Sequence, residues 1–232
     1  MGDDDRCAGK RQYDVPRAAA PGLDAKKKSL SASERDEAGR AAFRAISALW
    51  EARRVVFVDE SGTQTNMTAR YSRAPRGERA YGSAPRNHGK NTTLVAALSL
   101  AGIGAAMTLE GAMDADAFVA YLTACLVPTL TAGMIVVMDN LSVHKDKRVG
   151  PLIEESGCQV IYLPAYSPDL TPIEQAFSKI KEYLRRVGAR TREALEEAIT
   201  AALATVTAAD AIGWFTHCGY PPPSRQSACK PL

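Results

Sequence analysis

Apolar residues in this chain gather into short unbroken runs set between longer stretches of mixed polarity. Val55-Val56-Phe57-Val58 and Ile135-Val136-Val137-Met138 are the clearest. Such runs are too short for a helix and do not alternate, so they predict strands buried on both faces. Val160 to Leu163 predicts another. Thr92 to Leu100 and Ile103 to Leu109 lie either side of Ala101-Gly102 and predict a hairpin. The stretch Asn91 to Leu109 carries no charge, long enough to raise a membrane span. Its Thr92, Thr93, Ser99 and Thr108, and its glycines, favour two buried strands instead.

Helical periodicity accounts for most of the remainder. Ala42, Phe43, Ile46 and Leu49-Trp50 give one apolar face to a helix predicted from Ser31 roughly to Ala52. Ser31 with Glu34 makes a capping box, and Ser33 is the other candidate cap. Asp114 to Val127 predicts a helix with Ala117, Phe118, Tyr121, Leu122 and Cys125 as its stripe and Pro128 at its end. His144 to Ser156 predicts a further one, with Gly150-Pro151 placed to kink or split it. Ile173, Phe177, Ile180 and Leu184 mark a helix over Pro172 to Arg186. Arg192 to Thr205 follows, then a short element near Ala208 to Thr216. Residues 1 to about 30, the Arg-, Gly- and Pro-rich loop Gly62 to Lys90, and the chain after Pro221-Pro222-Pro223 read as irregular. Strand, hairpin, helix, strand, helix, strand, helix predicts an α/β fold: a mixed sheet with helices on its faces.

Composition narrows the class. A chain of 232 residues, 46% hydrophobic and 24% charged, suits one globular domain with extensions. A net charge of +3 says little, but its distribution says more. Arg70, Arg73, Arg76, Arg79, Arg86 and Lys90 face only Glu78, and Lys179, Lys181, Arg185, Arg186, Arg190 and Arg192 face only Glu182. Two local positive stretches suit an anionic polymer; two solvated faces are the plainer reading. Cys7, Cys125, Cys158, Cys218 and Cys229 are irregularly spaced and read as free thiols, with Cys125 and Cys158 in the core. His88, His144 and His217 are too scattered for a zinc site. The acidic start Met-Gly-Asp-Asp-Asp-Arg has no apolar stretch of a secretory signal, and Arg6 breaks the myristoylation pattern.

Three acids carry the candidate chemistry. Asp59 closes the first apolar run, Asp139 closes the second, and Glu174 opens a helix. Charges at the mouths of buried strands are costly unless something pairs with them, and a shared divalent cation is the simplest partner. Two Mg²⁺ ions about 3.5–4 Å apart can activate a nucleophile and stabilise a leaving oxygen at a phosphodiester. Each acid has a plainer alternative. Asp59 could be a turn residue, with Glu60 competing for its role, and Asp139 could form an Asx-turn with Asn140. Thr171-Pro172-Ile173-Glu174 reads locally as a capping box.

Together these segments resemble a known family. Val55-Val56-Phe57-Val58-Asp59-Glu60-Ser61-Gly62 is the first motif, and Val136-Val137-Met138-Asp139-Asn140-Leu141-Ser142-Val143-His144-Lys145 the second. Tyr162-Leu163-Pro164-Ala165-Tyr166-Ser167-Pro168-Asp169-Leu170-Thr171-Pro172-Ile173-Glu174 is the third. They are similar to the catalytic core of DDE transposases, in the bacterial insertion-sequence branch of the mariner-like superfamily. Glu174 follows Asp139 by 35 positions, a spacing typical of that group.

The resemblance implies an RNase H-like fold with a mixed five-stranded sheet. It implies Asp59, Asp139 and Glu174 as catalytic residues and metal ligands, with Mg²⁺ as cofactor and Mn²⁺ as a substitute. Cleavage at transposon ends and strand transfer into target DNA would follow. Asn140, His144 and Lys145 match recurring motif positions and are expected to shape the site or touch DNA; Arg70, Arg73, Arg76, Lys181 and Arg185 are expected to meet phosphates. The division expected is a tail over 1–30, a helical lead-in over 31–52, the catalytic domain over 53–190, a helical extension over 191–218 and a tail over 219–232. Members usually carry an N-terminal helix-turn-helix, which residues 1–25 do not resemble. A truncated copy, or a separately encoded helix-turn-helix polypeptide, is the expectation. A homodimer on DNA, no membrane, and a cytoplasmic, nucleoid-associated location are also implied. A plain RNase H-like nuclease and an inactive DNA-binding remnant stay open as alternatives.

Overall fold

The computed structural model describes residues 32–220. Ser31, the proposed cap, lies outside them with Cys7 and Cys229; of the tail expected over 219–232, Tyr220 is described and belongs to the core. The first helix, α1, spans Glu37–Ser47. It starts later than the apolar pattern predicts because Asp36 is its cap, accepting from the Gly39 N–H at 2.9 Å. Ser33 lies in a turn ahead of it. Leu49 and Trp50 follow the helix rather than extend it.

Five strands form one sheet: β1 (Val55–Thr63), β2 (Thr92–Ser99), β3 (Gly102–Glu110), β4 (Ile135–Met138) and β5 (Gln159–Tyr162). Their order is β3-β2-β1-β4-β5. The pairing of β1 with β2 and of β2 with β3 is antiparallel, whereas β1–β4 and β4–β5 are parallel. The uncharged stretch long enough to suggest a membrane span is the β2–β3 hairpin, and among the described residues no single helix is long and apolar enough to cross a membrane.

Strand β1 runs beyond the predicted end at Asp59. Its polar half, Glu60 to Thr63, pairs with β2 over Val95 to Thr92. Parallel pairing with β4 stops at Phe57. Asp59 therefore sits inside a strand, but just past the point where its other neighbour ends.

Alternation along the central strands sorts side chains onto two cores. Val55, Phe57, Leu94, Ala96, Leu98 and Val137 face one side. There they meet α1, α4 (Ile173–Val187), α5 (Arg192–Ala204) and α6 (Ala208–His217). Val56, Val58, Val95, Ala97, Val136 and Met138 face the other side. They meet α2, which starts at Ala115–Tyr121 and continues through a π-helical turn, Leu122–Leu126, and α3 (Val149–Glu154). The helix predicted from His144 is shorter than expected: residues 142–145 form turns, and Pro151 lies in the first turn of α3, where its missing N–H costs nothing. Cys158 and Cys218 are buried and Cys125 is half-buried; all three are free.

An aromatic cluster holds the approach to α4. Phe57 lies edge-on to Phe215 at 5.4 Å and tilted against Tyr220 at 5.1 Å, and Trp50 stacks on Tyr220 at 6.4 Å. The buried Tyr220 hydroxyl donates to the Leu170 carbonyl at 2.8 Å. That bond fixes a short 3₁₀ turn, Pro168–Leu170, just before α4.

Candidate active site

Period two decides which acids meet. Asp59 continues the Val55-Phe57 series and Asp139 follows Val137, so both belong to the α4 side of the sheet. Glu60 has the opposite parity, and its carboxylate turns to His144 behind the cleft, whose edge the residue still borders. Glu174 arrives from the first turn of α4, where the helix dipole favours a carboxylate. Asp59, Asp139 and Glu174 line one cleft of about 610 Å³ with Glu60, Asn140 and the segment from Leu163 to Ser167. Among the described residues, no three such side chains close tightly enough to enclose an ion as they stand.

The predicted capping box at Thr171 does not form. Pro172 is the N-cap in helical conformation, no side chain caps the helix, and Glu174 is at the second helical position rather than the third. Thr171 is buried in extended conformation. Among the described residues no hydrogen bond or ion pair engages the exposed Glu174 carboxylate.

Each aspartate has one oxygen engaged. Asp59 Oδ1 accepts from the Glu60 N–H at 2.8 Å. Asp139 Oδ1 accepts from the Leu141 N–H at 3.0 Å, an Asx-turn that coexists with a place in the cleft. In both, Oδ2 has no partner among the described residues. Burial, reinforced by the charges of Glu174, Asp139 and Glu60, pushes the Asp59 carboxyl up to about 7. Desolvation acts on Asp139 too, but His144, the Leu141 N–H and Lys145 hold it below the usual carboxylate range.

His144 is inside the protein, fully buried, and not on a surface open to DNA. Its Nε2 lies 2.8 Å from Glu60 Oε1. Its Nδ1 lies 2.6 Å from Asp139 Oδ1, an ion-pair approach off the ring N–H direction. Phe118 of α2 packs on the ring at 4.5 Å, and Tyr162 donates to the His144 carbonyl at 2.8 Å. Against the desolvation that would lower it, the two carboxylates push the imidazole up to about 10. The Asn140 amide donates to the Leu163 carbonyl and ties the ends of β4 and β5 together. Lys145 is exposed, 6.0 Å from the Tyr162 ring centre.

The two basic stretches separate into structural and free residues. Lys179 donates to Asp210 at 2.6 Å and to the Thr205 carbonyl at 2.9 Å. Arg190 donates to the carbonyls of Thr65 and Met67, Arg192 pairs with Glu110 and Glu196, and Lys90 pairs with Glu110. Lys181 and Arg185 have no such partner among the described residues. With about 3.6 residues per turn, Glu174, Ser178, Lys181 and Arg185 share one stripe of α4. Arg70, Arg73 and Arg76 are exposed in the excursion between β1 and β2, as are Tyr71 and Tyr81. The base of that excursion is fastened. Thr65 donates to the His88 carbonyl at 3.0 Å, and Gln64 donates to Asn91 at 2.8 Å.

Two residues of the site escape sequence reasoning: Glu60, which the pattern marks only as a competitor of Asp59, and Asp169, inside the third motif. Asp169 is bound by the buried Arg40 of α1, and anchors the turn before Glu174.

The sheet order β3-β2-β1-β4-β5, with acids brought to one cleft by β1, the end of β4 and α4, defines a mixed α/β fold with an acid-lined cleft. Residues 54–196 match the family described as DDE superfamily endonuclease, and the chain belongs to that family. Its fold matches the Mos1 transposase paired-end complex with the left transposon end (TM-score 0.70, 21% identity, 85% of this chain). It also matches the Mos1 mariner paired-end complex with Mn (TM-score 0.66, 20% identity, 85% of this chain). The chain spans 64% of the length of each of those chains. Against the catalytic domain of Mos1 mariner transposase it covers 92% of that chain and 83% of its own, at 15% identity and TM-score 0.62. The five-stranded mixed sheet is thus the RNase H-like fold of that catalytic domain. No curated protein matches the chain.

Proposed function

We propose that this protein cuts DNA strands at the ends of a transposon and joins the freed 3′-hydroxyl to target DNA. The observation that carries this is the arrival of Asp59, Asp139 and Glu174 at one cleft from three separate elements. The donor set is all hard oxygen, and the mutual repulsion felt by Asp59 is relieved by a divalent cation, so the residues fit Mg²⁺, with Mn²⁺ as a substitute. Asp59, Asp139 and Glu174 would hold it. When bound, Mg²⁺ supplies a nucleophile active at neutral pH and charge for the leaving oxygen.

The chain's own residues position the DNA. Lys181 and Arg185 continue the Glu174 stripe and offer two unpaired cations to the phosphates. Arg70, Arg73 and Arg76 extend this track from an arm that leaves β1 at the cleft end of the sheet. Asn140 lines the cleft beside Asp139, and the charge of Lys145 bears on Asp139 from nearby. Such contacts fix register and carry no base sequence, so reading of the transposon ends needs a helix-turn-helix beside this catalytic domain, which acts as a homodimer.

Nicking of supercoiled plasmid in Mg²⁺ tests the reading, with Asp139→Asn as the control. The expected result is nicking and joined products from the parent and neither from the variant. Equal nicking by both assigns the activity elsewhere; cutting without joined products makes the protein a plain nuclease.

A further inference from the structure

The cleft geometry leaves the choice of ligand oxygen to groups behind it. Asp139 has two oxygens, and a freely rotating carboxylate presents either. Here Oδ1 is taken twice, by the Leu141 N–H at 3.0 Å and by His144 Nδ1 at 2.6 Å. His144 in turn is fixed from behind by Glu60 Oε1 at 2.8 Å and by the Phe118 ring. Glu60 is adjacent to Asp59 on β1 and its carboxylate turns to His144, so one strand supplies an acid to the cleft and the next residue supplies the prop beneath its partner.

We propose that Glu60 and His144 are positioning residues that lock Asp139 with Oδ2 toward the cleft and so set the affinity of the cation site. This rests on the metal-site reading above. Three features speak for positioning rather than ordinary packing. His144 is completely buried and Glu60 nearly so, with its side chain 11% exposed. An imidazole in that place is costly unless its nitrogens have partners, and here Nε2 lies within hydrogen-bond distance of Glu60 while the Asp139 carboxylate stands 2.6 Å from Nδ1. The two groups it meets are Asp139 itself and the immediate neighbour of Asp59. Groups that orient metal ligands from behind typically control affinity by about 10–100-fold.

The test is Mn²⁺ binding to the full chain, followed by electron paramagnetic resonance or calorimetry, with circular dichroism confirming the fold. His144→Leu is expected to weaken Mn²⁺ binding by about 10–100-fold. His144→Asn, whose amide reaches the Nδ1 position, is expected to keep most of it. Nicking by His144→Leu should recover at saturating Mn²⁺, which a general loss of structure would not allow. Parental Mn²⁺ affinity in a folded His144→Leu overturns the proposal. If that variant does not fold, Glu60→Gln decides: weakened binding supports the proposal and parental binding overturns it. A parent chain that binds no Mn²⁺ removes the metal site itself, and this inference with it.

Discussion

Arg40 and Asp169 lie 129 positions apart and form a two-point ion pair, Nη1 to Oδ1 at 3.0 Å and Nη2 to Oδ2 at 2.6 Å. The guanidinium is 1% exposed and the carboxylate about half exposed. Removing Asp169 leaves the buried Arg40 only the looser approach of Glu37 at 3.5 Å, so Asp169→Ala should destabilise the protein by about 2–3 kcal/mol, a value held down by that second carboxylate and by solvent. Arg44→Ala removes only an exposed partner and should cost less than about 1 kcal/mol. Urea unfolding measures both; similar costs would show that burial of Arg40 is not what matters.

The same pair predicts an acid transition. Arg40 holds Asp169 below the usual carboxylate range. A depressed carboxyl contributes stability above its unfolded value and loses it as pH falls through the folded one. Stability of the parent should therefore drop below about pH 4, near the unfolded value. Asp169→Asn should be weaker at neutral pH and flatter across that range.

Asp59 behaves in the opposite sense. Its folded carboxyl titrates near 7, above the unfolded value, so ionising it costs stability as pH rises toward 7. Without metal, Asp59→Asn should be more stable than the parent at pH 8 by about 1–3 kcal/mol, and no more stable at pH 4. Added Mn²⁺ should stabilise the parent and not the variant. Thermal melts at the two pH values check this, and identical melts would remove the claim of a strained acid cluster.

Basic residues on α4 should divide by role. Lys181→Ala with Arg185→Ala should weaken DNA binding across all sequences and reduce the salt slope by about 0.9 for each phosphate no longer neutralised. Lys179→Ala breaks the bonds to Asp210 and Thr205 and should lower stability with little change in that slope. Fluorescence anisotropy at several salt concentrations separates them. An unchanged slope in the double variant would leave α4 away from DNA.

The strands, and the places of Asp59 and Asp139 at the ends of apolar runs, are legible in the sequence because each rests on local pattern, whereas Glu174 reads locally as a capping residue. Val55 to Val58 and Ile135 to Met138 show their burial in four letters, and period two carries that parity on to Asp59 and Asp139. What stays hidden depends on partners remote in the chain. Glu60 to Thr63 look like a turn until β2 supplies their ladder. His144 looks like a surface motif residue until α2 and Glu60 enclose it. Asp169 carries no sign of Arg40. At Thr171 the local signal for a cap is strong, and the buried approach fixed by Tyr220 overrides it.

The fastened base of the β1–β2 excursion has a consequence for change over time. The chain departs at Gln64 and comes back at Asn91 through one doorway, held by side-chain bonds and by Arg190 beneath. Lengthening such an arm adds little closure cost, because that cost grows only with the logarithm of its length. Insertions there leave the strand register untouched, so the arm is free to diverge while Asp59, Asp139 and Glu174 stay where they are.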